Sequence, residues 1–222
     1  MILTHDQIIE AHKRGEVVIE PFDGGQVGPA SYDLRVGPQG VTTTTKKLVD
    51  LKEAGFLVLD GGDFGVVTTF ETLKLGPQYA ARLGLRAKYA RRGLIATTGA
   101  QIDPGFYGRL IVGLTNLTPK SVSLGFRDDF LTVEFHRLEQ ATTQPYKGPY
   151  QGKTSLEGED IAYITETEAM SLSEMLVALR SLSQNVASLA GEMKFLKWVV
   201  PVMLGAIALI VGAIPVILVL KH

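Results

Sequence analysis

The stretch IDPGFYGRLIVGLTN, residues 102–116, determines what fold is expected for the front of the chain. Its DPG segment is a turn signal, because Asp, Pro and Gly each favour the backbone angles of a tight turn. The RLIVGLTN segment that follows is rich in residues that favour a strand. The stretch is therefore predicted to form two short strands joined by a Pro-Gly turn.

Runs of the same character extend on both sides of this stretch, from Val17 to about Leu138. They are short and separated by Gly and Pro: EVVIEPF, ASYDLRVG, FLVLD, FGVVTTFETLKL, SVSLGF and FLTVEFHRL. Many short strands with frequent turns predict an all-β barrel or sandwich. Ahead of them, THDQIIEAHKRG predicts a helix that Thr4 caps, with Gln7 at the capping-box spacing, and that Gly15 ends.

The composition of the chain argues against a nucleic-acid partner and against several kinds of metal site. The 222 residues carry a net charge of −1, so no nucleic-acid partner is expected. The chain has no cysteine, which excludes disulfides and thiolate metal sites. The histidines form no cluster with metal-ligand spacing, so a zinc site is not expected. They are His5, His12, His136 and His222.

The end of the chain is predicted to span a membrane. Residues 199–220, VVPVMLGAIALIVGAIPVILVL, contain no charged side chain. A helix of that length spans about 33 Å, against about 30 Å for the hydrocarbon core of a bilayer. Lys194 and Lys197 precede the run and Lys221 follows it, a slight bias that favours a cytoplasmic β-rich domain. The prediction is a single-pass C-terminal anchor in contact with membrane lipid.

A heptad pattern precedes this run, with apolar residues at alternating spacings of three and four. One core position is held by Leu172, Leu179, Val186, Met193 and Val200, and the other by Met175, Leu182, Leu189 and Leu196. The pattern predicts a coiled coil over residues 171–198. Its mixed Leu, Val and Met core does not by itself choose three strands over two. The alternative, a helix folded back on the β-rich domain, normally shows a wider apolar face.

Between the strands and the heptads lies QATTQPYKGPYQGKTSLEGED, residues 140–160, which is polar and rich in Gly and Pro. Such a composition predicts a weakly structured tail or linker. The resulting domain plan has a β-rich domain over 1–155, a linker over 156–170, the coiled coil over 171–198 and the transmembrane helix over 199–220.

Together, four stretches resemble the dCTP deaminase and dUTPase family. They are ASYDLRVG (30–37), LRAKYARRGL (85–94), QIDPGFYGRLIVGLTN (101–116), which resembles the family's hairpin and the strand after it, and PYKGPYQGK (145–153). The resemblance covers residues 1–155 and implies a mainly β fold, a dUTPase-like distorted β-barrel. It also implies a homotrimer with pyrimidine deoxynucleotide sites between subunits. Three parallel helices leaving one threefold axis would suit the predicted coiled coil.

The resemblance also indicates which cations would bind the triphosphate. Arg86 and Arg91 match the family's two arginines, whereas Ala87 and Lys88 replace its two serines. Lys88 would supply charge where a serine supplies a hydrogen-bond donor. The alternative is a basic face in contact with water. No resident cofactor is implied, and Mg²⁺ is compatible with the site only as the companion of a bound triphosphate.

Other positions are assigned to the sugar, the base and the closing tail. Asp103 matches the aspartate that orients the attacking water in dUTPases, although an Asp-Pro-Gly aspartate also hydrogen-bonds its own turn. Phe106 or Tyr107 would pack on the deoxyribose, or belong to the core. The tail would close over the nucleotide, or be solvated linker. The remaining nucleotide-binding positions are Ile111, Tyr150, Gln151 and Lys153.

Gly113 stands where the family has its catalytic glutamate. Deamination at C4 of cytosine needs a group that takes a proton from water and returns it to the leaving amine, and losing such a group typically costs about 10²–10⁴-fold in rate. Glu134 is the only nearby carboxylate on a β pattern, and it lies a separate strand away. The expectation is a pocket that glycine enlarges and that binds a pyrimidine nucleotide without deaminating dCTP.

The functional hypothesis is a membrane-anchored nucleotide sensor or membrane effector. The alternative is an active membrane-tethered dUTPase or dCTP deaminase. Asp103 is kept, which favours dUTPase chemistry, but the Gly-rich motif that closes trimeric dUTPases is absent.

Overall fold

The computed structural model describes residues 1–166 and, beyond them, 177–186, 188–189, 193–194, 197, 199 and 201–205. The chain divides into two units, Met1–Ser173 and Glu174–His222. The first unit contains the strands and the second is helical in its described residues.

The first unit begins with the helix that the sequence predicts. Helix α1 spans His5–Lys13, with Thr4 as its N-cap and a capping box to Gln7. Thr4 N donates to Gln7 Oε1 at 3.0 Å. Gly15 follows the helix with φ +70°, a left-handed conformation that glycine adopts without steric cost. Both predicted ends of the helix are therefore confirmed.

Eleven strands follow within the described residues. They are β1 (Val17–Glu20), β2 (Tyr32–Thr42), β3 (Val49–Asp50), β4 (Phe56–Leu59), β5 (Phe64–Leu75), β6 (Tyr79–Leu85), β7 (Leu94–Ala96), β8 (Gln101–Ile102), β9 (Tyr107–Asn116), β10 (Val122–Gly125) and β11 (Asp129–Arg137). The other helices are α2 (Leu51–Ala54), α3 (Ala87–Ala90) and α4 (Gly158–Glu166).

Nine of these strands form one antiparallel sheet in the order β7-β9-β5-β2-β11-β6-β8, with β1 on β5 and β3 on β2. Strands β4 and β10 pair separately. Register shifts within β2 and β5 bend the sheet. Its concave interior is filled by apolar and aromatic side chains such as Tyr32, Tyr89, Phe130 and Phe135, which are fully buried. The mainly β prediction is confirmed, with the sheet curled as a half-barrel.

Residues 102–116 form two strands around their turn, as predicted, but the two strands do not pair as a hairpin. Strand β8 pairs with β6, and β9 pairs with β5 and β7. The turn bonds instead to the end of β5, where Gly105 N donates to Leu75 O and Leu75 N donates to Phe106 O. Because this backbone is committed to β5, β8 and β9 have no ladder between them.

The predicted linker over 156–170 contains a helix that the sequence argument did not foresee. Helix α4 buries Ile164 completely, and Leu156 just before it is 6% exposed. Both pack against Val41 and Val66 of the sheet. An amphipathic helix is stabilised by burying such an apolar face, so α4 belongs to the β-rich unit.

The second unit is helical wherever residues 177–205 are described. The described heptad residues are exposed at 57–60% in the single chain: Leu179, Leu182, Val186, Leu189 and Met193. Leu172, Met175, Leu196 and Val200 lie outside the described residues. The coiled coil over 171–198 therefore stays a prediction.

The described residues contain no helix with the length and apolar character needed to cross a membrane. Of the predicted span, Val200 and residues 206–220 lie outside the described part of the chain. The transmembrane helix likewise stays a prediction.

Candidate functional site

A cavity of about 620 Å³ lies beside the β8–β9 turn. Its lining includes Asp103, Phe106, Ile111, Gly113 and Tyr150, so the fold brings together five positions that the sequence argument singled out. Strand alternation explains two of them, because Ile111 and Gly113 lie on the same face of β9. The other positions assigned to the nucleotide do not line this cavity: Arg86, Lys88, Arg91, Tyr107, Gln151 and Lys153.

The space beside Gly113 is filled. A Cβ atom built at this glycine would lie 2.5 Å from Thr97 Oγ1 and 3.1 Å from a ring carbon of Phe64. Thr98 Oγ1 also accepts a hydrogen bond from Gly113 N at 2.6 Å. A side chain at position 113 would therefore require Thr97 and Phe64 to shift, and the expectation that glycine enlarges the pocket stays a prediction.

Asp103 presents a half-buried carboxylate to the cavity. Its Oδ1 accepts a hydrogen bond from Gln101 Nε2 at 2.6 Å. The turn itself is closed by backbone groups, since Phe106 N donates to Asp103 O. The carboxylate is thus held by a neighbouring side chain at the cavity rather than used to close the turn.

The tail after β11 is bound to the β8–β9 turn, so the solvated-linker alternative does not describe it. Gln151 Nε2 donates to Gly105 O at 2.9 Å, and Tyr107 N donates to Gln151 Oε1 at 3.1 Å. Gly152 N donates to Tyr107 O at 2.7 Å. Gln151 therefore anchors the tail, and its neighbour Tyr150 reaches the cavity.

Two glycines of the turn explain how the tail approaches so closely. Gly105 has φ +85°, and a Cβ there would lie 2.5 Å from Pro145 Cβ. Gly108 has φ +142°, and a Cβ there would lie 2.7 Å from Lys153 O. A larger residue would meet both a strained backbone and the tail. The spacing of these glycines thus reflects tail packing.

Lys153 pairs with two acidic residues, Glu157 just before α4 and Asp160 in its first turn. Its Nζ lies 3.1 Å from Asp160 Oδ2 and 3.4 Å from Glu157 Oε2. Partial burial lowers the pKa of Lys153, but the hydrogen bonds and charges of Asp160 and Glu157 outweigh it and leave the pKa raised. Lys153 is charged at neutral pH, and its charge is already paired.

The cations of the 85–94 motif lie around α3. Arg86 pairs with Asp33, and Lys88 Nζ lies 3.3 Å from Asp128 Oδ2. Arg91 is exposed and makes no ion pair within residues 1–166. Arg86 and Lys88 thus pair with acidic side chains while remaining partly exposed to water, and both phosphate binding and the basic-face alternative stay open for them.

Asp128 stabilises α3 by bonding to two of its side chains, Lys88 and Tyr89. The buried Tyr89 hydroxyl donates to Asp128 Oδ2 at 2.9 Å. Burial raises the pKa of Asp128, but the hydrogen bonds from Tyr89 and Lys88 outweigh it and leave the pKa lowered. Burial and the bond to Asp128 raise the pKa of Tyr89, so its hydroxyl stays protonated and donates.

Three charged residues at the cavity were missed by the sequence argument: Arg109, Glu159 and Asp160. Arg109 shares the cavity face of β9 with Ile111 and Gly113, so strand alternation could have found it. Its Nη1 donates to Thr154 O at 3.1 Å, while its buried Nε has no partner. Glu159 and Asp160 come from α4, which no sequence signal had placed at the cavity.

Glu134, the other carboxylate considered as a base, is set apart from the cavity. Glu134 is half exposed, lies 3.7 Å from His136 Nε2 and does not line the cavity. No group of three or more His, Asp or Glu side chains among the described residues is arranged to hold a metal ion.

Comparison with known proteins agrees with this architecture. The dCTP deaminase-like family matches residues 2–138. The dCTP deaminase of Thermococcus sibiricus is 36% identical over 150 residues, covering 67% of this chain and 94% of its own. The dUMP-forming dCTP deaminase of Coprothermobacter proteolyticus is 31% identical over 176 residues, covering 71% and 95%.

Among solved structures, 2′-deoxycytidine 5′-triphosphate deaminase from Agrobacterium tumefaciens has the same fold, with a TM-score of 0.53 and 21% identity. The match covers 62% of this chain and about half, 49%, of that one. The half-barrel, the turn with its bound tail and the extent of the family match lead to one conclusion. The chain belongs to the dCTP deaminase-like family.

Proposed function

We propose that this protein binds a pyrimidine deoxynucleotide in the cavity beside Gly113 and does not deaminate dCTP. The observation that carries the proposal is the filled space at Gly113. Thr97 Oγ1 and the Phe64 ring lie too close to Gly113 for the Cβ of a glutamate to be placed there without a shift. Family membership and the retained cavity support binding, and the missing carboxylate on β9 supports the loss of deamination.

The carboxylates that do line the cavity are poorly suited to replace the glutamate. Asp103 accepts a hydrogen bond from Gln101, and Asp160 is bonded to Lys153. Glu159 is exposed on α4 rather than set on β9 beside the base. A general base must lie within hydrogen-bond reach of the attacking water, and its loss typically costs about 10²–10⁴-fold.

The proposal includes a homotrimer whose site is shared between subunits. Arg91 is exposed and does not line the cavity of its own chain, which supports its use by a neighbouring copy. The exposed heptad residues of 177–194 support a parallel coiled coil that holds the copies together. Cross-linking or mass photometry in detergent should give mainly trimers, and mainly monomers or dimers would contradict this part.

The uncharged run over 199–220 supports a single C-terminal transmembrane helix with the β-rich domain on the cytoplasmic side. In this arrangement the nucleotide state of the domain acts on the membrane through the coiled coil. The protein would then serve as a nucleotide-sensing or membrane effector module.

A membrane-tethered dUTPase is the second candidate. The observation that favours it is the Asp103 carboxylate at the cavity, which is suited to orient a water. The dUMP-forming relative also supports triphosphate hydrolysis as chemistry available to this family.

One experiment separates the candidates. Purified full-length protein is incubated with dCTP and with dUTP in Mg²⁺ buffer, while calorimetry measures binding and product assays follow ammonia and pyrophosphate. We expect binding without turnover. Ammonia release from dCTP at about 1 s⁻¹ or faster, a rate typical of enzymes, would refute the proposal.

Two variants assign any activity that does appear. If ammonia is released and Glu159→Gln abolishes it, the base lies on α4. If pyrophosphate is released from dUTP and Asp103→Asn abolishes it, the second candidate is correct.

A further inference from the structure

Lys153 is paired with Asp160, which lines the cavity, and this pairing holds Lys153 close to the cavity. Asp160 is a lining residue, and its Oδ2 is 3.1 Å from Lys153 Nζ. The same Oδ2 accepts a hydrogen bond from Glu157 N at 3.0 Å. The side chains of Lys153 and Asp160 are only 12% and 14% exposed. The start of α4 thus holds a lysine beside the cavity in a closely packed ion pair.

The apolar face of α4 packs on the residues that form the cavity wall. Val66 lines the cavity and belongs to the cluster that buries Ile164. Phe64 and Ile111 also line the cavity and pack against the same cluster. A ligand that shifts these side chains therefore changes the surface on which α4 rests.

Both positive and negative side chains lie at the cavity. Arg109, whose buried Nε has no partner, and the nearby Lys153 would attract an anion. Glu159 and Asp160 line the same cavity and would repel it. A phosphate and the Asp160 carboxylate would compete for the donors of one ammonium group, which binds either as a point charge.

We propose that α4 is an autoinhibitory latch, in which Asp160 and Glu157 hold Lys153 in place of an anionic ligand and a bound polyphosphate displaces them. The inference rests on the proposed nucleotide binding at this cavity. Displacement frees residues 157–166, the segment through which the chain continues toward its second unit.

The test measures the affinity of full-length protein for inorganic tripolyphosphate and for dCTP by calorimetry. Asp160→Asn and Glu157→Gln each remove a competing charge while keeping the side-chain shape. Each should raise the affinity for both probes by about tenfold, the scale of one charge-assisted hydrogen bond. Glu159→Gln is the matched control, since it removes a cavity carboxylate that makes no contact with Lys153. Glu134→Gln, outside the cavity, should leave the affinity unchanged.

A second measurement follows the latch itself. Amide hydrogen exchange of residues 158–166 in the unmodified protein should accelerate when tripolyphosphate or dCTP is added, because a displaced helix loses protection.

The outcomes are distinct. Equal gains in Glu159→Gln and Asp160→Asn would reduce the effect to general repulsion and overturn the latch. Unchanged affinity in Asp160→Asn and Glu157→Gln, with unchanged exchange in α4, would overturn the latch while leaving nucleotide binding intact. No binding of either probe by any variant would overturn the latch together with the proposed function.

Discussion

Gly113→Ala is the sharpest test of the claim that the catalytic position has been filled. The added methyl group would lie 2.5 Å from Thr97 Oγ1 and 3.1 Å from the Phe64 ring. Thr97 is exposed and can rotate, but the Phe64 ring must also move. Overpacking of this kind typically costs about 1–3 kcal/mol. In a domain of this size that loss lowers the melting temperature by about 2–4 °C for each kcal/mol.

Gly84→Ala is the matched control. Gly84 also lies within a strand, β6, opposite Thr132, and a Cβ there has nothing within 4 Å. Alanine at such a site should be neutral or stabilise the protein by about 0.5–1 kcal/mol, because glycine loses more conformational freedom on folding. The measurement is thermal unfolding of both variants and the unmodified protein, followed by circular dichroism under identical conditions.

The double variant Thr97→Ala/Gly113→Ala completes the test. Removing Thr97 Oγ1 should recover part of the loss, with an interaction energy of about 0.5–1.5 kcal/mol, as expected for residues in direct contact. If Gly113→Ala melts at the same temperature as Gly84→Ala, the space is open. The argument that a glutamate no longer fits would then be wrong.

Three further predictions follow from the site. Tyr89→Phe should destabilise the protein by roughly 1 kcal/mol through the lost bond to Asp128. The pKa of Asp128 is lowered below its ordinary 3.8 in the folded protein. The ionised Asp128 carboxylate therefore adds to the free energy of unfolding above pH 3.8, and this contribution is lost as the pH falls through the folded-state pKa. Acid unfolding should therefore begin at higher pH in Tyr89→Phe, and superimposable acid titrations would contradict this. Arg91→Ala should weaken nucleotide binding about tenfold or more in calorimetry. Arg86→Ala should mainly lower stability, because Arg86 pairs with Asp33. If Arg91→Ala binds the nucleotide as tightly as the unmodified protein does, Arg91 is not part of the site. Deleting residues 199–222 should move the protein from the membrane to the soluble fraction, and persistent membrane association would count against the anchor.

Short runs of strand-forming residues, separated by Gly and Pro, predicted most of the strands. FGVVTTFETLKL became β5 and FLTVEFHRL became β11. Strand β6, YAARLGL, was missed because Ala and Gly have low β propensity. It forms a strand because β11 and β8 pair with it on either side. Such pairing depends on the tertiary structure and cannot be read from the local sequence.

The candidate site was predictable where a motif stays within one turn or strand. Asp103 and Ile111 both line the cavity, and their contact with a nucleotide stays a prediction. Lys88 and Lys153 were assigned to phosphate, but the structure pairs them with Asp128 and Asp160. These ion-pair partners depend on how α3 and α4 pack, which residue spacing in the sequence does not indicate. Arg109 could have been found, because it alternates with Gly113 along β9.

The docking of α4 sets where a self-sufficient fragment of this protein can end. Ile164 and Leu156 cover Val41 and Val66, and the four side chains form one apolar cluster. A fragment cut at residue 155, the boundary that the sequence pattern indicates, would leave Val41 and Val66 facing water. Exposed apolar patches of this kind promote aggregation. A fragment that runs through residue 166 is eleven residues longer and keeps Leu156 and Ile164 over Val41 and Val66, so we expect it to stay dispersed in water.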